Sequence, residues 1–247
     1  MKKHVRCFKV WKADRYSFIH EWGTREMKIL IGQPKLEPAL DQLERELRSN
    51  PDVDIVLYPE GYLNQNVEEA CRLAATYETM IVSGHRRLDE KPKDRAIIMN
   101  KAGDIVLEKA KYTPATTVEE DGWVIGTLLC DELVRQGFRK ESDGQIHLIM
   151  HSIGVGMFSE EQYAEWLEEA RQIAIAEKCV IMGTSHADGA YRDSDISIPI
   201  AYCIAPSGDI LIESRDDTRT RIVDLKSVRT GQDWMAADLN ISVFCLE

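Results

Sequence analysis

The strongest constraint on how this chain folds is that its pattern occurs twice. "HLIMHS" (147–152) answers "IVLYPE" (55–60), and "EEARQIAIAEKCVIMG" (168–183) answers "EEACRLAATYETMIVSG" (68–84). "CIAPSGDILIES" (203–214) likewise answers "IMNKAGDIVLEK" (98–109). Each half therefore reads strand, helix, strand, hairpin. The strands are short, continuously apolar runs, as expected of strands buried on both faces. The helices carry apolar residues at helical spacing, such as Leu40, Leu43 and Leu47 within 37–49. In each hairpin a glycine, Gly103 or Gly208, supplies the turn. A helix cannot bury its apolar face alone. Two such units do so by packing sheet against sheet with helices outside, which predicts an α/β protein: a four-layer α-β-β-α sandwich with pseudo-twofold symmetry. A single doubly wound sheet is the alternative the same alternation permits.

The repeat also isolates a functional residue. Where the first half places Glu60 at a strand end, the second half places Ser152. Packing demands are similar in the two halves, so a structural need common to both does not explain the carboxylate. A site built in one half does. Ligands in open α/β sheets gather beyond the carboxyl ends of strands. Two further chemically active residues fall at such positions: Lys111, just past "DIVLEKA", and Cys130, closing "VIGTLLC". The three form a coherent set. A thiol with an ordinary pKa of about 8.5 is mostly protonated at neutral pH. A neighbouring carboxylate can take its proton and later relay protons to a leaving group and from a water. An ammonium stabilises the oxyanion of a tetrahedral intermediate, and the backbone N–H of Asp131 is a second donor candidate.

These stretches resemble a known family. "DIVLYPE", "GDIVLEKAK" and "GTLLCDE" are similar to the three signatures of the carbon–nitrogen hydrolase (nitrilase-like) superfamily, and the likeness runs from about Met27 to Leu225. The resemblance implies an α-β-β-α sandwich and metal-free, cofactor-free hydrolysis of a small amide, nitrile or carbamoyl compound through an acyl-enzyme. It implies Glu60 as general base, Lys111 as oxyanion stabiliser and Cys130 as nucleophile. Lys111 is preferred to Lys109 because it stands eight residues after Gly103, the family's spacing. It also implies a homodimer or higher homo-oligomer. Three departures stand out. The family's histidine two residues past the lysine is Thr113 here, and the aromatic usual after the cysteine is Asp131, with Glu132 in the usual acidic position. Lys111 and Cys130 are only 19 positions apart. The shortened segment normally carries an assisting glutamate; Glu119 and Glu120 are the candidates for it. Glu132 is a further candidate assisting or pocket residue, and His151 and Ser152, mirroring Pro59 and Glu60, are candidate pocket residues.

Composition narrows the remaining classes. A net charge of −11 lacks the basic footprint of a nucleic-acid binder. No apolar run approaches the roughly 20 residues needed to span a membrane, and basic residues at the N-terminus are not followed by a signal-like apolar segment. The six cysteines show no C-x-x-C or Cys/His cluster, so the expectation is reduced thiols in a cytoplasmic protein without a metal site. His85, His151 and His186 read as satisfied polar groups at loop starts rather than ligands. Residues 1–26 read as a basic-aromatic extension, 27–228 as the hydrolase domain and 229–247 as a tail, with the extension, Trp234 and Phe244 as candidates to pack across a subunit contact. Two other functions remain open: a catalytically silent relative serving binding or assembly, and an isochorismatase-type cysteine hydrolase, which uses an acid, a lysine and a cysteine on a single sheet.

Overall fold

A computed structural model describes residues 24–140, 144–190, 194–228 and 239–246. The expected extension 1–26 and Trp234 lie almost wholly outside them. Five strands and two helices recur in the same order in the two halves. The first half runs β1 (Thr24–Ile31), α1 (Asp41–Ser49), β2 (Ile55–Leu57), α2 (Val67–Tyr77), β3 (Met80–Arg86), β4 (Asp94–Met99) and β5 (Ile105–Ala110). After β6 (Thr117–Glu120), the second runs β7 (Trp123–Leu129), α3 (Glu132–Arg135), β8 (Leu148–Ser152), α4 (Glu160–Glu177), β9 (Val180–Thr184), β10 (Ile200–Ile204) and β11 (Ile210–Arg215). The chain closes with β12 (Arg221–Val228) and β13 (Leu239–Cys245).

The strands form two sheets. One is ordered β13-β12-β1-β2-β3-β4-β5 and the other β11-β10-β9-β8-β7-β6. In each, the first three strands of the repeat pair in parallel and the hairpin adds two antiparallel strands. Strand parity explains why these segments are apolar throughout. Ile29, Ile31, Ile55, Leu57, Met80 and Val82 point into a core shared with Ile125, Leu148, Met150, Val180 and Met182 of the other sheet. The intervening Leu30, Val56 and Ile81 pack against α1 and α2, and Ile149 and Ile181 against α4. Three cores thus separate four layers, α-β-β-α, and the single doubly wound sheet is excluded.

The repeat extends to backbone detail. α2 and α4 both end on a left-handed residue, Glu78 (φ 50°) and Lys178 (φ 53°), and both hairpins turn on a glycine, Gly103 (φ 84°) and Gly208 (φ 87°). α4 is capped by Ser159, whose Oγ accepts the Gln162 N–H. Its Tyr163, Trp166 and Leu167 are core residues.

Two expectations need correction. The first helix begins at Asp41 rather than 37, because the Glu37 carboxylate lies outside it, accepting the Gln42 N–H at 3.0 Å and the Tyr62 hydroxyl at 2.5 Å. The segment assigned as a tail contains a strand: β13 pairs along β12 with Leu239, Ile241 and Val243 against the inter-sheet core. Among the described residues, no helix is long and apolar enough to cross a membrane.

Candidate active site

Glu60, Lys111 and Cys130 arrive from three separate strand ends, and the sandwich brings them together. Glu60 follows β2. Its segment is docked on β3 by Tyr58 N–H to Val82 O at 2.9 Å and by Ser83 Oγ–H to Pro59 O at 2.9 Å. A side chain at Gly84 would place its Cβ 2.8 Å from Glu60 Cα, so only glycine lets this segment lie so close. From the facing sheet, the imidazole Nε2 of His186 reaches the Glu60 carbonyl at 3.3 Å. That oxygen only accepts, so Nε2 carries the proton.

Lys111 lies one residue past β5, with its N–H donated to Asp94 O at 3.0 Å. Its ammonium lies 3.0 Å from Glu60 Oε1 and 3.0 Å from Asp131 Oδ1, and donates to Glu60 Oε2 at 3.3 Å. Glu60 Oε1 is held in the ion pair with Lys111 without a hydrogen bond of good angle among the described residues.

Cys130 terminates β7 in the left-handed region, at φ 45°. For a non-glycine residue this costs about 1–2 kcal/mol, and three hydrogen bonds hold it there. Its N–H is donated to Ser152 O at 2.9 Å, and its carbonyl accepts the Leu133 N–H at 3.3 Å and His151 Nε2–H at 2.8 Å. The turn directs the thiol to the Glu60 carboxylate and to the backbone N–H of Gly154, both within hydrogen-bonding reach. A Cβ on Gly154 would lie 3.0 Å from Glu60 Oε2, so any side chain there would push on the carboxylate. Among the described residues the Asp131 N–H meets no acceptor.

Burial and charge set the proton affinities. Burial raises the Glu60 carboxyl above its ordinary value, and Lys111 offsets this only in part. Burial, then the Glu60 charge, pushes the Cys130 thiol up to about 12. Burial works against the Lys111 ammonium, but the charges of Glu60 and Asp131 outweigh it and hold the proton more firmly than in water. Asp131 shows the same contest with opposite outcome: burial would raise it, yet Lys111 keeps it below the usual carboxylate range. The resting site therefore holds a protonated thiol beside a carboxylate whose proton affinity is raised, with a fixed positive charge between them.

The remaining predicted residues fall elsewhere. Glu119 and Glu120 are not brought to this cluster. They pair with Val124 and Trp123 in an antiparallel strand, which places them near the start of β7, about 20 Å from Cys130 at roughly 3.3 Å per residue. Glu132 and His151 sit behind the site, while Ser152 is buried at the end of β8 with its carbonyl accepting the Cys130 N–H. Glu132 is fully buried and ties the lysine loop to the cysteine strand: it accepts Lys109 Nζ–H at 2.7 Å, the Tyr112 N–H at 2.5 Å and the Leu129 N–H at 2.7 Å. Lys109 is thereby committed to Glu132, which leaves Lys111 as the lysine that faces Glu60. His151 points to the helix layer, stacked on Trp166, with Nδ1 accepting the Tyr202 hydroxyl at 2.5 Å. His85 pairs with Glu108 at 2.8 Å. Among the described residues no group of His, Cys, Asp or Glu is arranged to hold a metal ion.

Sequence reasoning passed over Gly84, Gly154 and Tyr112. The first two close apolar strands or follow them, and that was their signal. Tyr112, half-exposed with φ 67°, donates its hydroxyl to Asp131 at 2.9 Å and lies under the Lys111 and Arg135 cations, each 5.4 Å from its ring centre.

No protein-family model and no curated protein matches the chain. Solved structures do. A cysteine mutant of the Nesterenkonia AN1 amidase from the nitrilase superfamily superposes with TM-score 0.65 at 13% identity, covering 81% of this chain and 90% of that one. XC1258 from Xanthomonas campestris, a CN-hydrolase superfamily protein, gives 0.64 at 15%, covering 82% and 90%. A carbon–nitrogen hydrolase from Helicobacter pylori G27 gives 0.62 at 12%, covering 81% and 89%. One mutant of the Nesterenkonia amidase carries the acetamide moiety of fluoroacetamide covalently added at its active-site cysteine. At these identities the likeness is one of fold: this chain is built as nitrilase-superfamily proteins are.

Proposed function

We propose that this chain is a carbon–nitrogen hydrolase of the nitrilase superfamily, cleaving a small amide through an acyl-enzyme on Cys130. The observation that carries the reading is the convergence of Lys111 Nζ, 3.0 Å from Glu60, with a thiol in reach of the same carboxylate. The three residues come from different strands of both sheets, and packing alone gives no reason to bury them together.

The steps follow from the geometry. Cys130 Sγ attacks the carbonyl carbon as Glu60 takes the thiol proton. Coupling the two events is what makes a thiol with a pKa near 12 usable, since free thiolate is scarce at neutral pH. The oxyanion forms against the Lys111 ammonium and the Asp131 N–H. Glu60 passes its proton to the leaving nitrogen, the C–N bond breaks, and an amine departs. Water then adds to the thioester with Glu60 as base, and the proton returns to the thiol as the carboxylic acid leaves. A nitrile enters the same cycle as a thioimidate, taking one additional water.

Mass spectrometry of the intact protein, incubated with a panel of small amides and nitriles, tests the assignment. A mass increase equal to the acyl group, mapped to Cys130 and absent from Cys130→Ala, is the expected result. Cys130→Ala and Cys130→Ser should both lack turnover while unfolding at the parent temperature. An adduct mapped to another cysteine with a substrate that turns over would overturn the assignment. A Cys130 that alkylates no faster than the buried Cys179 and Cys203 would instead mark a silent binding protein.

A further inference from the structure

The ammonium of Lys111 has two carboxylates at equal distance, and the second has no part in the steps above. Asp131 Oδ1 lies 3.0 Å from Nζ, matching Glu60 Oε1 at 3.0 Å. Asp131 is the residue directly after the nucleophile, so the turn that presents the thiol also carries this carboxylate to the lysine. It is held in place rather than loosely docked. Both of its oxygens accept the Tyr112 hydroxyl at 2.9 Å, and Arg135 approaches at 3.5 Å. Its side chain is 29% exposed, whereas those of Lys111 and Glu60 are 10% and 7% exposed, so the second carboxylate occupies the more open side of the cluster.

We propose that Asp131 is a positioning residue which, by sharing the Lys111 ammonium with Glu60, keeps that lysine from neutralising the base. The proposal rests on the hydrolase reading and deepens it. A lysine paired with Glu60 alone would bind its ionised form strongly and make it a poor proton acceptor. Splitting the ammonium between two anions weakens that hold while leaving the lysine charged for the oxyanion. Asp131 also opposes negative charge on the thiol directly. Both effects act in one direction: with Asp131 ionised, Glu60 and Cys130 hold protons more tightly.

The other groups facing the cluster do not supply this balance. Asp94, at the start of β4, adds to the negative charge around Glu60. Within the cluster, His186 reaches the Glu60 carbonyl and His151 the Cys130 carbonyl, neither of them the carboxylate or the ammonium. Arg86 lies beside Gly61 but is bound to Asp94 at 3.1 Å. Tyr112 and Arg135 act on Asp131 itself.

The test is the pH dependence of iodoacetamide alkylation at Cys130, read by peptide mapping, together with the pH profile of kcat/KM on a substrate found by the adduct screen. Parent, Asp131→Asn and Asp131→Glu are compared after thermal melts confirm folding. In Asp131→Asn, the midpoint of alkylation and the acid limb of kcat/KM should both move down by about one pH unit. Turnover should fall with KM little changed. Asp131→Glu, which restores the charge, should return most of the shift. Reduced turnover in Asp131→Asn with both midpoints unmoved would overturn the proposal, reducing Asp131 to a structural contact while the hydrolase reading stands. A parent Cys130 without enhanced reactivity would overturn the proposal and the hydrolase reading together.

Discussion

Replacing Glu132 with alanine removes the brace behind the site and leaves Lys109 stranded. The pair is almost fully excluded from water, with side-chain exposures of 3% for Lys109 and 0% for Glu132. Removing one partner of a buried pair costs about 3–5 kcal/mol, because the other charge stays buried and uncompensated. The Tyr112 and Leu129 N–H groups lose their acceptor in the same step, each worth about 1–3 kcal/mol when left buried and unpaired. Lys109 keeps only long contacts to the carbonyls of Thr113 and Ala110, at 3.4 and 3.5 Å. These penalties overlap because one relaxation relieves several of them, so the expected loss is about 4–5 kcal/mol. For a chain of this length that lowers Tm by roughly 8–20 °C. Urea unfolding followed by circular dichroism measures it, and Lys109→Met supplies the second edge of a double-mutant cycle. The double variant removes the stranded charge and should be about 2 kcal/mol more stable than Glu132→Ala alone. Activity should fall in Glu132→Ala even where it is folded, because the same carboxylate ties the Lys111 loop to the end of β7. A loss below about 1 kcal/mol, or a double variant no more stable than Glu132→Ala, would refute the account of a buried, charged brace.

Two more outcomes follow from the site. Gly154→Ala places a methyl 3.0 Å from Glu60 Oε2 and should lower kcat at least tenfold with a stability change under about 2 kcal/mol; unchanged kcat would show that Glu60 has room to move. His151 gives the pH dependence. Burial holds its imidazole down to about 4, below the ordinary value of about 6.5. The unfolded chain therefore binds a proton below pH 6.5 that the folded protein refuses, so this contribution is complete above pH 6.5 and lost as the pH falls toward 4. Between pH 7 and 4.5 the parent should lose about 2–3 kcal/mol more than His151→Gln in urea unfolding, and parallel curves would contradict this.

Much of the molecule follows from its sequence alone. Apolar continuity marked β2, β3, β8 and β9 as strands buried on both faces. The doubled order of elements implied two sheets back to back, and the mismatch of Glu60 with Ser152 singled out the carboxylate. These features are local or periodic: the pattern of one segment states which of its faces must leave water, without reference to the partner. Tertiary structure decided the rest, because contacts between segments distant in the chain depend on how the sheets are laid against each other. Glu119 and Glu120 sit next to Cys130 in a linear reading, yet β6 pairs antiparallel with β7 and sets them at the far end. Glu132 reads as a pocket residue and is instead a buried brace, since only the fold brings Lys109 behind the cysteine turn. β13 alternates Leu239, Ile241 and Val243 with Asn240 and Ser242, a strand pattern present in the sequence, but only the fold shows that it pairs along the edge of β12. The second carboxylate on Lys111 was in plain view as Asp131, but a charge acquires its meaning from its neighbours in space, and sequence order does not supply them.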